Sequence, residues 1–126
     1  MAINRHIPLF DIKVKNKNIK KDIDIAFRNI CKTTSFIKGP ILESFENDFS
    51  QFTRAKYCVG VASGTDALQL SLHVLGITKG AEVIIPVNTF IATAYAVLYV
   101  GARPVFIDID KQTYNIDADL IEKNIT

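Results

Sequence analysis

Apolar residues recur at helical spacing early in the chain and later gather into short runs set between helices. Ile19, Ile23, Ala26, Phe27 and Ile30 form one stripe, which predicts a helix from about Ile19 to Lys32. Thr33-Thr34-Ser35 ends it, and Gly39-Pro40 breaks regular structure before the next element. Pro40 suits a first helical turn, so a second helix is expected over about Ile41 to Thr53, with Ile41, Phe45, Phe49 and Phe52 on one face. Ahead of both helices, residues 1–18 hold Ile7-Pro8-Leu9-Phe10 and a run of lysines. Pro8 disfavours helix, and an extended arm is expected there.

The later pattern is different. Tyr57 to Val61 is aromatic and β-branched and suits a buried strand. It runs into Val61-Ala62-Ser63-Gly64-Thr65-Asp66-Ala67-Leu68, a small-residue turn that opens a helix expected from Thr65 to Leu75. Ser63 is placed to cap that helix through its hydroxyl. Gly64 removes a side chain where the backbone would approach a ligand. The free N–H groups and the positive dipole end would then face outward, as a seat for phosphate. The same turn reads equally well as a capped helix with no ligand.

Leu68, Leu70, Leu72 and Leu75 leave the helix little polar surface, so it is expected to be largely buried. His73 reads as a packed or partly exposed residue rather than a ligand. Gly76 is placed to end the helix and Gly80 to make a turn. Strand Glu82 to Pro86, loop Val87-Asn88-Thr89-Phe90, helix Ile91 to Val100 and strand Arg103 to Ile109 follow, with Gly101 closing the helix. Asp108 and Asp110 read as turn acids, since no third ligand is spaced to help them hold a metal. Asp117 is placed to cap a last helix starting near Ala118. Strands alternating with helices predict an α/β fold with a largely parallel sheet. If the strands before them are parallel neighbours, the Ser63 and Phe90 loops open at the carboxyl ends, where such sheets bind ligands.

Composition narrows the function. The 126 residues suffice for one domain, and the net charge of +2 gives no footprint for a nucleic-acid partner. Lys13, Lys15, Lys17, Lys20 and Lys21 read as a solvated face, because Asp22 and Asp24 follow at once. Cys31 and Cys58 form neither a metal pair nor a disulfide framework, and reduced thiols in a cytoplasmic protein are expected. No apolar run reaches the roughly 18 residues of a membrane span, so no membrane partner is expected.

Several blocks in order then carry more than a class. They are Ile7-Pro8-Leu9-Phe10-Asp11, Phe36-Ile37-Lys38-Gly39-Pro40, the run from Ala55 through Leu68, and Glu82-Val83-Ile84-Ile85-Pro86. Thr89-Phe90-Ile91-Ala92-Thr93, Gly101 through Asp108, and Thr113-Tyr114-Asn115-Ile116-Asp117 complete the set. Together they resemble the N-terminal part of the DegT/DnrJ/EryC1/StrS family of pyridoxal-phosphate-dependent nucleotide-sugar aminotransferases. Ala81 departs from the family's usual acidic residue, in a surface turn.

The resemblance implies the type I aminotransferase fold, with residues 1–126 as the N-terminal portion of its large domain. It also implies a homodimer. Gly64 and Thr65 would hold the phosphate of pyridoxal phosphate, Ser63 would shape the turn, and Phe90 would lie against the pyridine ring. The substrates would be an amino-acid donor, glutamate above all, and a keto-sugar nucleotide, for surface polysaccharide or deoxyamino-sugar synthesis. Asn88 through Thr93 sits closer to members acting on 3-keto sugars. The lysine that forms the Schiff base has no counterpart among these lysines, so the expectation is a truncated, catalytically incompetent chain. The alternatives are a non-catalytic dimerisation module and a vestigial product of a truncated gene.

Overall fold

The computed structural model describes residues 13–126, with side chains described from Asn16 onward. The chain divides into two compact units, up to Val59 and from Gly60. In the first unit, helix α1 spans Lys13–Thr33 and helix α2 spans Pro40–Thr53. The arm expected over residues 1–18 is therefore corrected: its last six residues are helical. The lysine-rich run holds no glycine or proline to stop a helix, and lysine is a good helix former. Residues 1–12 lie outside the described residues.

The Lys20 Nζ donates to Asp24 Oδ2 at 2.7 Å, one turn along α1. The helix stops where Thr34 takes the left-handed conformation (φ 53°). Pro40 occupies the first turn of α2, as its fixed φ favours. The rings of Phe45 and Phe49 lie 5.6 Å apart and those of Phe49 and Phe52 6.4 Å apart, a continuous aromatic ridge on one helix face. α2 closes on Arg54, left-handed at φ 57°, with the Arg54 and Ala55 N–H groups donating to the Gln51 and Ser50 carbonyls.

The second unit is built on a parallel pair of strands. β1 is Glu82–Pro86 and β2 is Arg103–Ile107, in register from Glu82↔Arg103 to Pro86↔Ile107. Bonds from Arg103 N–H to the Ala81 carbonyl and from Val87 N–H to the Ile107 carbonyl, each 2.9 Å, extend the ladder at both ends. Parallel strands need a crossover, and helix α4, Ile91–Tyr99, supplies it. Helix α3, Gly64–Val74, packs along α4. The core is Ile85 of β1 with Ala94, Val97 and Ala102, and Leu72, Ile77, Ala81, Val83 and Val100 pack around it. Alanines at 94 and 96 let neighbouring elements approach α4 closely, and Val97 is only 1% exposed.

Both helices end by the same device. Gly76 (φ 78°) donates to the His73 carbonyl and Ile77 to that of Leu72; Gly101 (φ 79°) donates to Leu98 and Ala102 to Val97. Each is a Schellman reversal, which needs a left-handed residue and favours glycine there. In both, the two outer residues of the reversal, Leu72 with Ile77 and Val97 with Ala102, belong to the core or pack on it.

Two expectations are corrected here. Tyr57 to Val61 forms no strand. A strand exists only with a hydrogen-bonded neighbour, and among the described residues the sheet is β1 and β2 alone, leaving Tyr57 and Val59 exposed. Nor is α3 largely buried: Leu68, Leu70, Val74 and Leu75 are all exposed, because α4 covers only one side of it.

After β2, Ile109 and Ile116 form an antiparallel bridge around a tight loop. The expected helix near Ala118 is two 3-10 turns, Ala118–Leu120 and Glu122–Asn124; Asp117 caps the first, its carboxylate accepting from Asp119 N–H at 3.0 Å. Among the described residues no helix is long and apolar enough to cross a membrane.

Candidate functional site

The first turn of α3 holds three of the four residues expected to make the site. Ser63 is the N-cap, in extended conformation, and its Oγ accepts from Asp66 N–H at 3.2 Å. The same hydroxyl donates to Asp66 Oδ2 at 2.8 Å. Ser63 thus caps the helix through its hydroxyl, which is bonded to both the N–H and the carboxylate of Asp66, and the carboxylate lies at the positive end of the helix dipole. The Ala67 N–H makes the first internal helix bond, to the Ser63 carbonyl at 3.0 Å.

That arrangement fixes what remains for a ligand. A helix begins with four N–H groups that have no internal partner, here those of Ser63, Gly64, Thr65 and Asp66. Asp66 N–H is taken by the Ser63 hydroxyl. The N–H groups of Gly64 and Thr65 stay outward, and no hydrogen bond among the described residues engages the Thr65 hydroxyl. Two backbone donors and one hydroxyl at a positive helix end suit an anion such as phosphate.

Gly64 tests that fit. Its φ lies outside the left-handed region, so the backbone does not require glycine. A Cβ added there would meet no atom within 4 Å, so packing does not require glycine either. In a helix the Cα–Cβ bond tilts toward the N-terminus, so a side chain at this position would lean toward the helix end that carries the two outward N–H groups. The bare position leaves open space at the helix end that a side chain would partly occupy.

Phe90 stands elsewhere, as the N-cap of α4, one turn beyond the carboxyl end of β1. Its side chain makes no capping bond and is 77% exposed. Beside it the Thr89 and Thr93 hydroxyls are 2.9 Å apart, and Thr93 N–H donates to the Phe90 carbonyl. An aromatic ring held in solvent at a strand's carboxyl end offers a flat apolar surface to a flat partner. The expectation that both loops follow strands holds for Phe90 and fails for Ser63, since the segment before Ser63 is not a strand.

Asp66 is the member of this turn that the sequence reading passed over. The signal was present as Ser63-Gly64-Thr65-Asp66, a cap followed three residues later by an acid. The acids after β2 have a different task. Asp110 Oδ1 accepts from Thr113 N–H and Thr113 Oγ1, both at 2.8 Å, and from Gln112 N–H at 3.2 Å. The Thr113 N–H and then its hydroxyl hold the Asp110 carboxyl below its ordinary pKa, with Gln112 N–H helping against a small desolvation.

The model of the DegT/DnrJ/EryC1/StrS aminotransferase family matches residues 17–126. The UDP-2-acetamido-2-deoxy-3-oxo-D-glucuronate aminotransferase of Pseudomonas aeruginosa is 42% identical over 120 residues, which are 95% of this chain and 33% of that protein. The 3-oxo-glucose-6-phosphate:glutamate aminotransferase of Bacillus subtilis is 42% identical over 84% of this chain and 24% of its own length. Among solved structures, S. venezuelae DesV superposes with a TM-score of 0.93 at 37% identity, covering 98% of this chain and 33% of that one. B. subtilis NtdA, solved with the cofactor PMP bound, gives 0.86 at 38% identity, covering 99% and 30%. The chain thus spans about a third or less of the length of these relatives. At these identities the shared architecture is that of the pyridoxal-phosphate aminotransferases, and this chain belongs to the DegT/DnrJ/EryC1/StrS aminotransferase family.

Proposed function

We infer that this chain supplies the phosphate seat of the cofactor in an enzyme that moves an amino group from glutamate to a keto-sugar nucleotide. Pyridoxal phosphate, when bound, supplies the electron sink that such a transfer needs. In this reading the Gly64 and Thr65 N–H groups and the Thr65 hydroxyl hold the phosphate. Ser63 shapes the turn, and Phe90 lies against the ring. Residues 1–126 are then the N-terminal portion of the large domain of a cytoplasmic homodimer. The lysine that carries the cofactor lies outside the resemblance, so the 126 residues alone turn nothing over.

The observation that carries the reading is Gly64, a glycine that neither backbone nor packing requires, set before two unpaired helix donors. Glutamate as donor is supported by the name of the B. subtilis relative, and a ketone at carbon 3 by the names of both relatives. The test follows backbone amides of the nitrogen-labelled chain by NMR during titration with pyridoxal phosphate and, separately, with pyridoxal. The Gly64 and Thr65 amides should move with pyridoxal phosphate and stay still with pyridoxal. Equal response to both, or none at these amides, would remove the phosphate seat from this turn.

A further inference from the structure

Ser63 has one hydroxyl proton, and in this structure it goes to Asp66 Oδ2 at 2.8 Å. Its lone pair receives the Asp66 N–H at 3.2 Å. The hydroxyl is therefore engaged on both sides by a single residue, and it has no proton left for an anion seated at the helix end. Thr65, half-buried on the same turn, has a hydroxyl that no described residue engages. The Asp66 carboxylate also brings a negative charge to the place where a phosphate would bring another. The helix end is favourable to either one, and each lowers the attraction for the other.

Resting on the phosphate seat inferred above, we propose that Asp66 is a positioning residue for that seat: it completes the first turn of α3 without any anion, turns the Ser63 hydroxyl away from the phosphate, and weakens phosphate binding by its charge. The seat is then formed before the ligand arrives, and on this turn the ligand is held by Gly64 and Thr65 and not by Ser63. This arrangement keeps α3 folded with the seat empty and keeps the phosphate affinity moderate.

The experiment uses the full 126-residue chain, inorganic phosphate as the probe, and three forms: unchanged, Asp66→Asn and Asp66→Ala. Asn keeps an acceptor for the Ser63 hydroxyl and removes the charge; Ala removes both. Phosphate affinity is read from the Gly64 and Thr65 amides, and helix closure from hydrogen exchange at the Ala67 amide. Asp66→Asn should bind phosphate on the order of fivefold more tightly, with the gain shrinking as salt is added. Its Ala67 protection should match that of the unchanged chain with or without phosphate. Asp66→Ala should lose Ala67 protection without phosphate and regain it when phosphate is added. If Asp66→Asn binds phosphate equally or more weakly while the unchanged chain does bind it, the role of Asp66 is overturned and the seat stands. If the unchanged chain shows no phosphate response at Gly64 and Thr65, the seat itself falls, and this role with it. Should Asp66→Ala fail to fold, the Asp66→Asn comparison decides the matter alone.

Discussion

Replacing Gly64 with alanine should raise stability and lower phosphate affinity at once. The stability side follows from the backbone. Gly64 is the first residue of α3, its φ is one that alanine adopts, and its new Cβ would touch nothing within 4 Å. Neither strain nor overlap opposes the change. The unfolded chain loses freedom and the helix gains a better former, together worth about 0.4 to 1 kcal/mol. For a unit of this size that is a rise of about 2 to 8 °C in Tm. The binding side follows from where that Cβ leans, toward the helix end that carries the Gly64 and Thr65 N–H groups. Displacing the anion from one charge-assisted hydrogen bond costs about 1.5 to 3 kcal/mol, or about 10- to 150-fold in Kd. The assay is a thermal melt paired with a pyridoxal phosphate titration on the same preparation. Higher Tm with unchanged affinity would refute the argument that the glycine serves a ligand. A lower Tm would refute the open space around it.

Other substitutions probe the frame that holds the site. Val97→Ala truncates the largest fully buried side chain among the described residues and should cost about 2 to 3 kcal/mol, seen as a lower urea midpoint with Ile85 and Ala102 losing exchange protection first. Arg54→Gly relieves a left-handed backbone at the end of α2 and should stabilise that helix by about 1 kcal/mol in a denaturant melt. Thr113→Val removes one of the donors that depress the Asp110 pKa, so an NMR carboxyl titration should show it rising toward the ordinary aspartate value. Because the folded pKa is the lower one, the Asp110 contribution to stability is present above the unfolded pKa and is lost as pH falls through the folded one. In Thr113→Val the contribution should be smaller, and its loss should be complete at a higher pH than in the unchanged chain.

Local chemistry was legible wherever one residue decides the outcome. Gly76 and Gly101 end helices because a left-handed residue is needed there, and Ser63 caps α3 because its hydroxyl reaches back to the first turn. The run Glu82 to Pro86 gave a strand with the expected bounds, since its neighbour lies one short crossover away. Tyr57 to Val61 is also rich in strand-favouring residues, but among the described residues no strand pairs with it, and residue preference cannot supply one. The leucines of α3 run around more of the helix than α4 covers, so the pattern overstated its burial. At the site, the cap was readable and the reason for Gly64 was not. Only coordinates show that the position is neither strained nor crowded. The exposure of Phe90 at a helix cap had no signature either, because an apolar residue beside an apolar helix reads as core.

The reversal at Gly101 also limits how the length of this chain is free to drift. Only Ala102 separates it from Arg103, where β2 begins in register with Glu82. Successive strand residues point to opposite faces. Inserting or deleting one residue between Gly101 and Arg103 would exchange the faces of Ile107, which is buried, and Phe106, which is exposed. It would also separate the core residue Ala102 from its bond to Val97. Length changes should therefore accumulate at the Lys111–Asn115 loop, whose residues are all exposed, and stay out of the joint between α4 and β2.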